Sequence, residues 1–153
     1  MRYYLLDRIT KIEKGRYIEG YKCWTMSEDY FEQHFPGSPV VPGVLQVEAM
    51  AQLLGYLINE SYKQEFGYEG YSILSVINKA KFLKPIRPGD RTYFKAWLDN
   101  LDNLVASGRV EGYVDQQKVS EARLTYVINT EPLKEPYRSQ ILDYYKFLIQ
   151  NFD

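Results

Sequence analysis

The strongest pattern in the chain is a stretch from Val44 to Ile58 that is apolar on nearly every side of a helical wheel. Pro42-Gly43 opens it, and the helix formers Leu45, Glu48, Ala49, Met50, Ala51, Gln52, Leu53 and Leu54 lie within it. A helix apolar almost all round is buried on most sides, so the pattern predicts a central helix. Upstream, Arg16 to Thr25 follows a Lys14-Gly15 turn signal with β-rich composition and predicts a strand. Pro36, Gly37, Pro39, Pro42 and Gly43 crowd the next stretch, which must be a loop, because proline lacks the amide hydrogen and restricts the residue before it. Downstream of a polar, Gly-bearing connection (Asn59 to Gly70), four strand-like stretches follow: Ile73 to Phe82, Thr92 to Leu98, Val105 to Val114 and Lys118 to Asn129. The last alternates, with Ala122, Leu124, Tyr126 and Ile128 on one face and Glu121, Arg123 and Thr125 on the other, as a half-buried antiparallel strand does. Pro85 to Asp90 and Asp115-Gln116-Gln117 read as turns. The order predicts an α+β domain, one curved antiparallel sheet wrapped round one long helix.

Past Pro132 and Pro136 the pattern changes again: Ile141, Leu142, Tyr145, Leu148, Ile149 and Phe152 recur at roughly helical spacing. Residues 1–130 therefore read as one domain and residues 131–153 as a helical extension that docks, on its own subunit or on a neighbour.

Composition narrows the function classes. The 153 residues suit a single domain, and a net charge of -1 with scattered basic residues lacks the footprint that a phosphate backbone requires. Charges interrupt Met1 to Arg8 where a signal peptide needs its apolar stretch, and no apolar run is long enough for a membrane span, so a cytoplasmic protein is expected. One cysteine, Cys23, and one histidine cannot make an internal disulfide or a zinc cluster. The 15 Tyr and 7 Phe favour sheet and apolar ligand surfaces.

His34 is the lone imidazole, so acid/base work near neutral pH that needs one must use it. The Pro/Gly-rich loop from His34 to Gly43 runs straight into the N-terminus of the central helix, where amide hydrogens carry partial positive charge and can stabilise an oxyanion. Glu48 is out of place among apolar neighbours. At about 100° per residue from Val44, Glu48, Ala51, Gln52 and Gly55 share one stripe of polar or small residues. A Glu buried there has its pKa raised and can serve as a general acid, whereas one that merely touches solvent has no such role.

His34-Phe35-Pro36-Gly37-Ser38-Pro39-Val40-Val41-Pro42-Gly43-Val44-Leu45, followed by Glu48-Ala49-Met50-Ala51-Gln52, closely resembles the signature of the FabZ branch of β-hydroxyacyl-acyl-carrier-protein dehydratases. Leu5-Leu6-Asp7-Arg8-Ile9, Asn78-Lys79-Ala80-Lys81-Phe82 and Pro85-Ile86-Arg87-Pro88-Gly89-Asp90 resemble further family blocks in the right order. The resemblance implies a hot dog fold, a homodimer whose dimers assemble into hexamers, and active sites that take His34 from one protomer and Glu48 from the other. It implies that His34 and Glu48 are catalytic, that Gly43 supplies the amide that polarises the thioester carbonyl with Val44 and Gln52 beside the substrate, and that the Val40 carbonyl orients the imidazole. Either Glu48 protonates the leaving hydroxyl, or His34 handles both protons and Glu48 positions a water; no metal or organic cofactor is needed. The substrate would be a (3R)-hydroxyacyl group on an acyl carrier protein. Carriers are acidic, so Lys79, Lys81, Lys84 and Arg87 are the candidate docking residues. Val41 stands where the family commonly has Met, and the extension past Glu131 has no counterpart in shorter members, which bears on assembly and partner choice rather than chemistry. A hot dog thioesterase and a non-catalytic acyl-binding subunit are the competing readings; a thioesterase lacks the His-Phe-Pro loop, and an inactive relative has no chemical reason to keep His34 and Glu48.

Overall fold

The computed structural model describes residues 1 and 3–150 and contains six strands and two α-helices. In chain order these are β1 (Arg8–Glu13), β2 (Tyr17–Cys23), α1 (Gly43–Phe66), β3 (Tyr71–Phe82), β4 (Arg91–Leu101), β5 (Val105–Val114), β6 (Gln117–Asn129) and α2 (Tyr137–Ile149), with one 3-10 turn at Asp29–Glu32. The strands form one antiparallel sheet in the order β1-β2-β4-β5-β6-β3, with α1 against its concave face. This is the curved sheet around one helix that the hydrophobic pattern predicts.

Three details depart from the expected elements. β1 was not expected as a strand: the charges of Arg8-Ile9-Thr10-Lys11-Ile12-Glu13 and a register shift between Ile9 and Lys11 blur its alternation. The central helix runs past Ile58 to Phe66, because Ser61 and Tyr62 on its last turns are still buried; Gly67, at φ 79, then ends it with its amide donating to the Lys63 carbonyl at 3.0 Å. The β5–β6 turn is tighter than expected, a two-residue connection in which Asp115 and Gln116 both take positive φ and Gln117 already belongs to β6. Phe152 of the expected tail helix lies outside the described residues.

The core explains why α1 can sit so close to the sheet. Met50, Leu53, Leu54, Leu57 and Ile58 are wholly buried against Ile18, Phe94, Ala96, Ala106, Val110 and Leu124. Many sheet positions under the helix are small. At Gly108 an added Cβ would meet the Trp97 carbonyl oxygen at 2.4 Å and Leu54 Cδ1 at 2.9 Å. Backbone cannot move aside as a side-chain tip can, so Gly108→Ala is expected to cost about 3 kcal/mol, a fall in Tm of on the order of 10 °C by calorimetry. An unchanged Tm would mean that the sheet relaxes freely there.

A second buried cluster, Trp24, Phe31, Val41, Ile86 and Val119, lies under the loop that carries His34. Phe31 anchors the loop's entry and Val41 its exit, the latter also through its amide to the Ile86 carbonyl at 2.8 Å. Trp24 donates its indole N–H to the buried Thr92 hydroxyl at 2.9 Å, which satisfies its polar group inside the cluster. The extension packs on its own subunit. Leu148 is fully buried, Tyr144 stacks on Tyr4 at 4.1 Å between centroids, and Tyr145 meets the edge of Tyr56 at 4.6 Å.

Candidate active site

The loop from His34 to Pro42 is held by its own backbone. The His34 amide donates to the Tyr30 carbonyl at 3.0 Å and the Val40 amide to the His34 carbonyl at 2.9 Å, so the ends of the loop tip are pinned together. Within it His34 Nδ1 lies 3.0 Å from the Val40 carbonyl oxygen. A carbonyl oxygen only accepts, so Nδ1 carries the hydrogen and the neutral ring presents the lone pair of Nε2. The imidazole is half-buried and stacks on the exposed Phe35 ring at 4.1 Å.

Pro42 caps the start of α1, where its carbonyl accepts from the Leu45 and Gln46 amides at 3.0 and 3.2 Å. The Gly43 and Val44 amides precede any possible intrahelical acceptor, and the helix dipole adds to their positive end. The Phe82 ring at the end of β3 lies against Gly43, where a Cβ would come within 2.8 Å of it; Val44 is exposed. A side chain at position 43 would push that half-exposed ring away from the amide.

Glu48 is half-buried on the second turn of α1. Gln52, one turn on, donates its side-chain amide to Glu48 Oε1 at 3.0 Å and to the Tyr3 carbonyl at 2.9 Å, while its own Oε1 accepts from the Leu5 amide at 2.9 Å. Gln52 thereby ties the N-terminal segment across the carboxylate. The Tyr3 side chain also lies near Glu48, whose negative charge pushes the Tyr3 pKa up. Burial, with the Glu48 charge second, raises the Tyr126 phenol well above its ordinary value, so it stays a donor; it gives its hydrogen to the Ala51 carbonyl at 2.9 Å. Sequence reasoning missed Tyr3 and Tyr126: one stands outside any pattern, and the other reads as one more inward position of an alternating strand.

His34 and Glu48 are not brought together within one chain's cavity. Glu48 lines a cavity of about 190 Å³ with Gly55, Ser72 and Tyr126, and His34 is not among its lining residues. Among the basic candidates, Lys79 pairs with Glu121 at 3.0 Å and Lys84 donates to the Gln117 side chain at 2.6 Å. Arg87 reaches the His34 loop, within 3.4 Å of the Pro39 carbonyl and 3.5 Å of the Ser38 hydroxyl. Lys81 lies exposed on β3, with no ion pair among the described residues.

A long buried helix in a curved antiparallel sheet, with a histidine loop feeding its N-terminus, is the hot dog arrangement of FabA-like proteins. Residues 1–123 match the FabA-like domain family, and the chain belongs to it. Within that family it falls in the FabZ branch. The 3-hydroxyacyl-[acyl-carrier-protein] dehydratase FabZ of Fusobacterium nucleatum is 38% identical over 125 residues, 81% of this chain and 85% of that protein. That of a Sulfurovum species is 41% identical over 128 residues, again 81% and 85% of the two chains. Solved structures share the fold at lower identity. A thioesterase of Haemophilus influenzae aligns with a TM-score of 0.62 at 16% identity over 83% of this chain and 80% of its own. A chain of a dehydratase heterocomplex from Xenorhabdus doucetiae aligns at 0.56 and 22%, over 76% and 92%. Helix α2 lies beyond the matched family domain.

Proposed function

We propose that the chain is a cytoplasmic 3-hydroxyacyl-[acyl-carrier-protein] dehydratase, converting a (3R)-hydroxyacyl thioester to the trans-2-enoyl thioester, and that it works as a homodimer. The observation that carries this reading is the His34 ring held by Nδ1 on the Val40 carbonyl, on a loop that delivers the chain to the free amides of α1 and, one turn later, to Glu48. Dehydration needs a base for the weakly acidic proton alpha to the carbonyl, an acid for the poor hydroxide leaving group, and a donor for the charge on the thioester oxygen. His34 Nε2 takes the proton, the carbon–oxygen bond breaks as Glu48 protonates the departing hydroxyl to water, and the Gly43 amide holds the oxyanion. Val44 lies beside that amide, and Gln52 orients the Glu48 carboxyl. No step draws on a metal or organic cofactor.

The test is hydration of a crotonyl thioester, followed as loss of enoyl absorbance, with a parallel assay for free thiol. Loss of absorbance without thiol supports the dehydratase; thiol release would make the chain a thioesterase, and silence in both a binding subunit.

An acidic carrier would dock on Lys79, Lys81, Lys84 and Arg87, which flank the His34 loop and the end of β3. Reversing Lys81 and Lys84 to Glu is expected to raise KM for carrier-bound substrate by roughly tenfold while sparing a small thioester analogue. Equal loss with both substrates would place docking elsewhere.

A further inference from the structure

We infer that Tyr145, on the helix beyond the matched family domain, is the floor of the acyl cavity and limits the length of acyl chain the enzyme accepts. The inference rests on the dehydratase reading and adds a specificity-determining residue to it. The cavity starts at Glu48 and follows one stripe of α1 through Gly55 to Asn59, with Ser72 and Tyr126 on the sheet side and Tyr145 at the far end. Eleven residues of helix span about 16 Å, which sets the depth from the carboxylate to the floor. At about 190 Å³ the cavity is smaller than the roughly 300–1,000 Å³ of pockets that take drug-sized ligands, so it suits a short acyl group.

The polar atoms along this path are satisfied by one another. The Ser72 amide donates to Asn59 Oδ1 at 2.8 Å, the Ser72 hydroxyl to the Gly55 carbonyl at 3.2 Å, and the Tyr126 hydroxyl to the Ala51 carbonyl at 2.9 Å. Tyr145 lies beside Asn59 at this end, and burial raises the phenol's pKa. With these groups occupied, the polar wall makes few demands on a ligand, and Ala51, Leu74 and the tyrosine rings offer the apolar surface for an acyl chain.

Asn59 and Tyr145 also line a second cavity of about 60 Å³, walled by Leu133, Ile141 and Leu142 together with the Glu69–Arg138 ion pair. Asn59 and Tyr145 are therefore the partition between the two spaces. Tyr145 is held in place by the burial of Leu148 and the edge contact with Tyr56, so the floor is a fixed part of α2. Removing the ring would open the acyl cavity into the space behind it, along the side formed by Leu133, Ile141 and Leu142.

The experiment compares wild type with Tyr145→Ala, Tyr145→Leu and Tyr145→Phe on crotonyl, hexenoyl, octenoyl, decenoyl and dodecenoyl thioesters. Each rate is taken relative to crotonyl, so a general loss of folded enzyme cancels. Wild type is expected to fall off sharply along the series, by at least about tenfold at the first chain too long, as hydrophobic pockets discriminate against an extra methylene. Tyr145→Ala is expected to move that fall to longer chains, Tyr145→Leu to move it less, and Tyr145→Phe, which keeps the ring, to retain the wild-type limit. Parallel profiles for wild type, Tyr145→Ala and Tyr145→Leu would overturn the inference while leaving the dehydratase standing. Wild type silent on every thioester would overturn the dehydratase reading, and the inference with it.

Discussion

Subunits carrying His34→Ala and subunits carrying Glu48→Gln are each expected to lose about 10²–10⁴-fold in kcat/KM alone, and to regain about a quarter of wild-type activity when co-refolded. The single losses follow from removing the group that takes the alpha proton or the group that protonates the leaving hydroxyl. The recovery follows from geometry. In one chain Glu48 faces a cavity walled by α1, β3, β6 and α2, whereas His34 sits on the loop before α1 and is not part of that wall. A site that uses both residues can then draw them from two protomers. In a mixed dimer with shared sites, one site carries both lesions and the other carries neither. With random pairing about half the dimers are mixed and half of their sites are intact. If both residues served a site within one protomer, every site would keep a lesion and nothing would recover. Recovery no greater than the two mutants measured apart, in a sample shown to contain mixed dimers, would sink the shared-site arrangement.

What the sequence reveals and hides follows the range of the interactions concerned. The apolar run of α1 and the alternation of β6 are local patterns, so helix, sheet and fold class are legible from residue spacing alone. The start of α1 is legible because proline and glycine act on their own backbone, and Gly67 stops it in the same way, but what carries the helix past Ile58 to that stop is Tyr62 packing under Gly70, where an added Cβ would sit 2.6 Å from the ring. That contact crosses from helix to loop and leaves no periodic trace. The same limit applies at the site. His34 and Glu48 stand out because one is the lone imidazole and the other a carboxylate in an apolar run. Tyr3, Tyr126 and Tyr145 do not, since among 15 tyrosines nothing in spacing separates those that reach the cavity from those that fill the core. The extension was expected to bear on assembly rather than chemistry, yet α2 reaches the cavity that Glu48 lines. It also holds the segment that crosses Glu48, since the Tyr144 hydroxyl donates to the Leu6 carbonyl at 2.9 Å and Gln52 bonds the backbone of Tyr3 and Leu5.

Ile77→Glu is expected to turn the proposed dimer into a monomer at micromolar concentration and to abolish activity without unfolding the chain. The sheet has two edges of opposite character. β1 is short and charged, and α2 packs beside it with the Arg8 guanidinium over the Phe147 ring at 4.7 Å. β3 is twice as long by its bounds, and no element among the described residues pairs with its outer side. Four of its apolar side chains are half-exposed, Ile73 at 50%, Val76 at 45%, Ile77 at 52% and Phe82 at 49%, beside the polar Asn78, Lys79 and Lys81. A long, bare, apolar edge is a template for pairing, and the simplest partner is the same edge of a second copy around a two-fold axis. The edge also ends at Phe82 against Gly43, and across a two-fold axis the paired strands run antiparallel, so pairing there would bring the partner's His34 loop towards the Ser72 and Leu74 end of this chain's β3, which walls the Glu48 cavity. In an isologous interface one substitution acts twice. Each lost Ile side chain costs about 1.5–3 kcal/mol of burial, and each introduced carboxylate must be desolvated as well. A total of at least about 5 kcal/mol raises the dimer Kd by more than about 10³-fold. Ile77 is half in water in the single chain, so circular dichroism and Tm measured on the monomer should remain those of a folded protein. Light scattering that still reports a dimer would move the interface away from β3. A folded monomer with full activity would instead show that one protomer holds a complete site.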